Sequence, residues 1–219
     1  MLGFPEKGDA MLKSENPAHA ADRAMSHLMR IGFSPIILMK LATFQVQWTI
    51  FETMLEPTLW AMNDEDPKGV HPSTDGKQVS ELISRFAKSA DKFPVELRDL
   101  IVLTSRTASL LLRYRNGISH GFVLPAEVGG PGFLSNPQWH GEKRKRPHSD
   151  ALVAEWSLDL ALYAILAISE VRLIVEKVAK SAPIPNEDEL KRLMDRSRRA
   201  KSMAGELVHR VELANHEKN

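Results

Sequence analysis

The chain has 219 residues, of which 43% are hydrophobic, and this is enough to bury a core in one large domain. Its 29 lysines and arginines against 28 aspartates and glutamates leave a formal charge of +1, so any polyanion site must come from local clustering. The absence of cysteine excludes a disulfide scaffold and thiolate chemistry, and it favours a reducing, cytoplasmic location.

Residues 1–15 are predicted to form a flexible leader, because they mix glycine, proline and charge without apolar periodicity. They lack a basic stretch followed by an apolar one, so we expect no secretory signal. The longest apolar run, residues 160–169, is bounded by Asp159 and Glu170 and is too short to span a bilayer. No membrane association is therefore expected.

Two helices are predicted in the first third of the chain. Asn16 before Pro17 and Ser34 before Pro35 each place a capping side chain ahead of a proline at the first helical position. Pro57 is expected to end or kink the second helix. Apolar side chains at spacings of four and three predict its buried seam, formed by Ile37, Leu41, Phe44, Trp48, Phe51 and Leu55.

A long helix is predicted from about Val95 to Asn116, after a shorter helix over residues 78–90. Its inward face carries Leu97, Ile101, Thr104, Ala108 and Leu111. Arg115 is the next position on that face, so its guanidinium should meet an anionic partner, a cleft or a second subunit. His120 is about 140° around a straight helix from Arg115, so the two converge only where the helix ends or bends, for which Gly117 is the expected place.

The segment after this helix, residues 121–148, contains five glycines and four prolines and is predicted to be a long loop. Short strands around Phe122 and Trp139, forming a β-hairpin, are the regular structure it could hold. The loop ends in a basic run formed by Lys143, Arg144, Lys145 and Arg146. Such a run is either a solvated surface or a phosphate-binding element, and both interpretations stay open.

Two more helices complete the predicted bundle. Ser149 or Asp150 is expected to cap a helix that extends to about Lys180, and Asn186 to cap the last helix. The inner face of the first is predicted to carry Trp156, Leu160, Tyr163, Ala167, Val171 and Ile174. The last helix carries a second basic cluster over residues 191–201, either a solvated face or an extension of a polyanion-binding surface.

The predicted fold class is an all-α, multi-helix bundle with a long Gly/Pro-rich loop after the Arg115 helix. We divide the chain into the leader, a helical domain over residues 16–180, and a C-terminal helix over residues 185–219 that packs on or extends from it. No phosphate-binding glycine loop or paired-histidine motif is present, so neither a cofactor nor a metal site is predicted.

The segment Arg115-Asn116-Gly117-Ile118-Ser119-His120 resembles the Arg-polar-x-x-x-His signature of HEPN domains, helical modules that often act as metal-independent ribonucleases. The resemblance covers this motif and a helical core over roughly residues 35–180. It implies that His120 moves protons while a ribose 2′-hydroxyl attacks the adjacent phosphate. Arg115 would stabilise the charge on the phosphate oxygens, and Asn116 would orient the histidine or a phosphate oxygen.

The resemblance also implies RNA as the substrate, since DNA lacks the attacking hydroxyl, and a homodimer whose interface includes the motif helix. The implied function is a metal-independent endoribonuclease of the toxin or antiviral-defence type, with an antitoxin or regulatory partner. Some HEPN toxins carry a tyrosine two positions after the histidine, which a partner antitoxin modifies. Phe122 stands there in this chain and offers no acceptor oxygen.

Two alternatives stand beside the ribonuclease. The first is a non-catalytic HEPN-like module in which Arg115 and the basic loop hold RNA or a nucleotide without cutting it. The second is a helical interaction protein in which Arg115 and His120 serve only the dimer or the fold, for example as caps of the helix end.

Overall fold

The structure, a computed structural model, describes residues 16–123, 133–135 and 150–216. The predicted all-α bundle is confirmed, because these ranges form six α-helices joined to one small sheet. The helices are α1 (Pro17–Arg30), α2 (Pro35–Asn63), α3 (Val79–Lys88), α4 (Val95–His120), α5 (Glu155–Ala179) and α6 (Glu187–His216). A 3-10 turn, Ser89–Lys92, joins α3 to α4. None of the described helices combines the length and apolar character that a membrane span requires.

Three predicted helix starts are confirmed by their capping side chains. A backbone N–H in the first turn donates to the side-chain oxygen over 3.0 Å at Asn16, 3.3 Å at Ser34 and 2.9 Å at Asn186. Each bond satisfies a donor that the helix itself leaves unpaired. These starts were predictable because capping depends on residues only two or three positions apart.

The seam of α2 forms the centre of the core, where Phe44, Trp48, Phe51 and Leu55 are buried as predicted. Of the two outcomes expected at Pro57, an end or a kink, the end is wrong, because α2 continues to Asn63. The turn after the proline is held by packing, since Thr58 and Leu59 are both buried. Burial of this turn offsets the backbone hydrogen bond that a proline removes.

α5 lies at the centre of the bundle and packs against α2, α4 and α6. Its predicted inner face is partly wrong: Ala167 and Val171 are buried, but Trp156 is 44% exposed and lies under the guanidinium of Arg210. The buried row is displaced around the helix and consists of Leu158, Ala161, Ala164, Ile165, Ile168, Val171 and Val175. Small alanines in this row let neighbouring helices approach closely, a feature that a search for large apolar residues overlooks.

The sheet covers the end of α4. Its strands, β1 (Phe122–Val123), β2 (Phe133–Ser135) and β3 (Ala151–Leu152), are antiparallel in the order β1-β2-β3. The predicted strand at Phe122 is confirmed, whereas the one expected near Trp139 lies outside the described residues. The predicted start of α5 at Ser149 or Asp150 is wrong, because β3 occupies the next residues and α5 begins at Glu155.

α6 lies along α4 and α5 and extends the core at one side of the bundle. Its buried apolar residues are Leu193, Ala200, Ala204, Leu207 and Val211. The side chains of Arg113 on α4 and Glu212 on α6 form an ion pair of 3.1 Å near the C-terminal ends of both helices. α6 therefore runs beside the helix that carries the motif.

Candidate functional site

Arg115 lies where the buried face of α4 reaches the surface. The predicted inward residues before it are all buried, from Leu97 to Leu111, and Arg115 itself is half-buried. Its Nη1 donates to Oδ1 of the neighbouring Asn116 at 3.2 Å, and its buried Nε has no hydrogen-bond partner among the described residues. Within the same residues, no carboxylate lies at ion-pair distance from this guanidinium.

A second buried arginine shows how the chain neutralises such a charge elsewhere. Arg172 on α5 is 7% exposed, and its Nη1 lies 2.6 Å from Oε2 of Glu176 and 2.9 Å from Oγ1 of Thr58. In both arginines, Nε has no hydrogen-bond partner among the described residues. The two differ in that Arg172 has a carboxylate partner, Glu176, and Arg115 has none among the same residues. Burying a guanidinium without a counter-charge costs free energy. An anionic ligand at Arg115 would supply that counter-charge.

Tyr114 anchors the motif end of α4 to the sheet. The side chain is 2% exposed, its hydroxyl donates to the carbonyl oxygen of Leu152 at 2.9 Å, and its ring packs edge-on to Phe44. Burial raises the pKa of the Tyr114 phenol well above its usual range, so the hydroxyl stays protonated. Sequence reasoning missed this residue, although it follows Leu111 by three positions on the buried side of the helix.

The expected break at Gly117 is wrong. α4 continues unbroken to His120, Gly117 is buried inside it, and the N–H of Gly121 still donates to the carbonyl of Gly117 at 2.9 Å. Tertiary packing has overridden the low helix propensity of glycine. Arg115 and His120 therefore leave the helix about 140° apart, the first half-buried and the second exposed.

The last turn of α4 is tied to α2 and to the sheet. Gln45 on α2 donates from Nε2 to Oγ of Ser119 at 3.4 Å. At Gly121, a Cβ atom would lie 2.5 Å from the carbonyl oxygen of Gly117 and 2.9 Å from Cβ of Leu134. Since no side chain fits between helix and sheet, glycine is what lets β2 lie directly over the end of the motif.

The two predicted basic clusters are the run over residues 143–146 and the basic residues of α6. The run Lys143, Arg144, Lys145 and Arg146 lies outside the described residues. On α6, Arg192 and Arg196 both form ion pairs with Glu170 of α5. Arg199 lies over the ring of Tyr163, which is also on α5. Arg198 is near Asp195 on α6 itself. Contacts to neighbouring helices thus favour the structural interpretation of the α6 cluster.

No protein-family model matches the chain, and comparisons with curated proteins and with solved structures find no similar protein. Among the described residues, no group of three or more histidine, aspartate or glutamate side chains is arranged to hold a metal ion.

Proposed function

We propose that the C-terminal end of α4 binds RNA and cleaves it without a metal, as an endoribonuclease of the toxin or antiviral-defence type. The observation that carries the proposal is the half-buried guanidinium of Arg115, whose described neighbour is an uncharged amide. A phosphodiester would supply the negative charge that the described residues do not place beside Arg115, and the fixed fork of donors on arginine matches two phosphate oxygens.

In the proposed reaction, His120 accepts the proton of a ribose 2′-hydroxyl, whose oxygen attacks the adjacent phosphorus. The bond from phosphorus to the 5′-oxygen breaks, and that oxygen takes up a proton from water, leaving a 2′,3′-cyclic phosphate and a 5′-hydroxyl, while His120 releases its proton to solvent. Imidazole suits the proton transfer because it titrates near neutral pH. Arg115 stabilises the charge that builds on the non-bridging oxygens.

Asn116 acts here as a positioning residue. The resemblance implied that it orients the histidine or a phosphate oxygen, whereas its Oδ1 accepts a hydrogen bond from Arg115. With that oxygen engaged, the Nδ2 group is the part of the side chain that can donate to a phosphate. The pair then presents donors only, which suits an anionic ligand.

A second candidate is a non-catalytic module that holds RNA or a nucleotide at Arg115. The observation that favours it is the unbroken helix, from which Arg115 and His120 leave about 140° apart. Cleavage needs both side chains at one phosphodiester, whereas binding needs Arg115 alone. In this function, Arg115 and Asn116 bind phosphate while His120 contributes no chemistry.

One experiment tests both candidates. Purified protein is incubated with mixed RNA in EDTA, and binding and cleavage are followed for wild type, Arg115→Ala and His120→Ala. Arg113→Ala is the matched control, since Arg113 is exposed on the same helix and pairs with Glu212. If the protein is a ribonuclease, wild type and Arg113→Ala should cleave the RNA, and Arg115→Ala and His120→Ala should not. If the protein binds RNA without cleaving it, and only Arg115→Ala loses that binding, the binding module is supported. If Arg115→Ala still binds RNA, both candidate functions are contradicted.

A further inference from the structure

α1 is an amphipathic helix that contacts the core of the described bundle at Leu28 and leaves the rest of its apolar side exposed. It has 14 residues and no buried ones, and only Leu28 is even half-buried. Its apolar arc consists of Pro17, Ala18, Ala21, Ala24, Met25, Leu28 and Met29. A helix of this length is marginal in water on its own, so its apolar arc requires a packing surface that its own described bundle does not provide.

α2 carries a second unpartnered surface, which we call its outer face. The outer face consists of nine exposed residues: Pro35, Ile36, Met39, Ala42, Thr43, Val46, Thr49, Ile50 and Thr53. None is charged, and the exposed fractions of Met39, Val46 and Ile50 are 62%, 57% and 48%. The charged residues of α2 lie elsewhere on the helix, so α2 is apolar on its outer side as well as in the core. Helices that are apolar all round are normally buried.

The two surfaces match in pattern, and the row on α2 is long enough to cover the row on α1. On α2, Ile36, Met39, Thr43, Val46 and Ile50 follow spacings of three and four, and on α1 so do Ala18, Ala21, Met25 and Leu28. These are the spacings of helices that pack along a common seam. At about 1.5 Å per residue, the α2 row extends for about 21 Å and the α1 row for about 15 Å.

We propose that the apolar arc of α1 packs on the outer face of α2 in a second copy of this chain, and reciprocally across a twofold axis. A twofold axis requires each copy to supply both surfaces, and this chain does. A standard interface has about 20–30 residues a side. The outer face has nine residues and the apolar arc of α1 has seven, so both surfaces are needed to approach that size. The lack of charge on both surfaces is typical of the centre of a permanent interface.

The connection between the helices keeps the two surfaces apart within one copy. Phe33 is 3% exposed and fixes the connection to the core, and Gly32 adopts a φ of 100° that other residues rarely take. α1 therefore leaves the bundle in a set direction, with its arc and the outer face both open. This interface contains none of the motif residues, is distinct from the α4 interface that the resemblance implied, and is independent of the proposed function.

The molecular mass in solution tests the proposal. By sedimentation at micromolar concentration, wild type should be a dimer, and Val46→Lys/Ile50→Lys should raise the dissociation constant by more than about 30-fold, as loss of a central interface contact does. Val70→Lys/Leu213→Lys is the matched control, because these side chains are 63% and 42% exposed outside the proposed interface. A monomeric wild type, or a dimer that the α2 variant leaves intact, would overturn the proposal.

Cross-linking tests which helices meet and does not depend on the folding of the lysine variants. The chain has no cysteine, so Met25→Cys and Val46→Cys can be introduced into two differently tagged copies and mixed with a short bismaleimide. The proposal predicts a covalent product that contains both tags. Met25→Cys mixed with Val70→Cys is the control and should give none. Equal yields from the two mixtures would show random collision and would contradict the α1–α2 interface.

Discussion

Arg115 donates from Nη1 to Oδ1 of Asn116 at 3.2 Å, so two adjacent residues of the motif are coupled on the surface of α4. The partner is an amide, which orients the guanidinium without neutralising it. This relationship distinguishes Arg115 from Arg172, whose charge is already met by Glu176. The proposed phosphate site depends on that difference.

A negative charge at position 116 should therefore compete with RNA. Asn116→Asp keeps the size of the side chain but gives Arg115 a carboxylate, and we expect about tenfold weaker RNA binding, on the order of one lost charge-assisted contact. The log–log salt slope for single-stranded RNA should fall by about 0.7 if one phosphate contact is lost. Asn116→Ala, which leaves the guanidinium charged, is the control and should bind more tightly than Asn116→Asp. Equal affinities would exclude charge at Arg115 as the binding determinant.

Gly121→Ala should destabilise the protein by about 1–3 kcal/mol, the usual cost of forcing extra atoms into a packed region. The added Cβ would lie 2.5 Å from the carbonyl oxygen of Gly117 and would push β2 away from α4. Gly205→Ala is the control, because nothing lies within 4 Å of a Cβ there and α6 should gain about 0.5–1 kcal/mol of helix propensity. Urea denaturation of the two variants should thus give shifts of opposite sign.

The buried pair of Arg172 and Glu176 should make stability depend on pH. Burial raises the pKa of Glu176, but hydrogen bonds from Lys180 and Arg172 outweigh it and hold the pKa below its usual value. A carboxylate with a lowered folded-state pKa stabilises the fold above its unfolded pKa of about 4.3, and this contribution is lost as the pH falls further. Glu176→Gln should lack that part of the acid dependence.

At neutral pH, Glu176→Gln should lower the free energy of unfolding by about 3–5 kcal/mol, because it leaves Arg172 buried without its counter-charge. Glu206→Gln is the control, since Glu206 pairs with Arg210 at the surface and exposed pairs contribute about 0.5 kcal/mol or less. Chemical denaturation followed by circular dichroism gives both numbers. Equal losses in the two variants would remove the distinction between the buried and the exposed pair.

The basic run over residues 143–146 is expected to bind RNA without taking part in the chemistry, because contacts from lysine and arginine to phosphates position the nucleic acid. Changing all four residues to alanine should weaken binding and lower the salt slope by up to about 3 units for single strands. Turnover at saturating RNA should change little. An unchanged slope would mean that the run is a solvated surface.

Local signals in the sequence predicted much of the fold. Asn16, Ser34 and Asn186 are found at helix starts because a cap involves only neighbouring residues. The helix ends expected at Pro57 and Gly117 did not occur. Pro57 is followed by the buried Thr58 and Leu59, and Gly117 is itself buried, so packing at each position outweighs a local propensity. Whether local propensity or burial decides the end of a helix depends on tertiary packing, and the spacing of residues along the chain does not reveal that packing.

The candidate site was predicted in part. The position of Arg115 followed from the spacing of the residues before it, since a helix carries its periodicity forward by one turn. The angle to His120 also followed, but the helix end that would bring them together did not occur at Gly117, because α4 runs to His120. The role of Asn116 as the partner of Arg115, and the carboxylate-free surroundings in the described residues, depend on side-chain conformations that no sequence pattern fixes.

Cleavage of a short RNA in EDTA, with a single 2′-deoxy substitution at the cleaved nucleotide as the comparison, tests the central claim most directly. We predict products with 2′,3′-cyclic phosphate ends, no cleavage at the 2′-deoxy position, and a rate about 10²–10⁴-fold lower in His120→Ala, the usual contribution of general acid–base catalysis. Arg115→Ala should be similarly impaired, and Arg113→Ala should match wild type. Cleavage that requires added magnesium, or that proceeds at the wild-type rate in His120→Ala, would contradict the account.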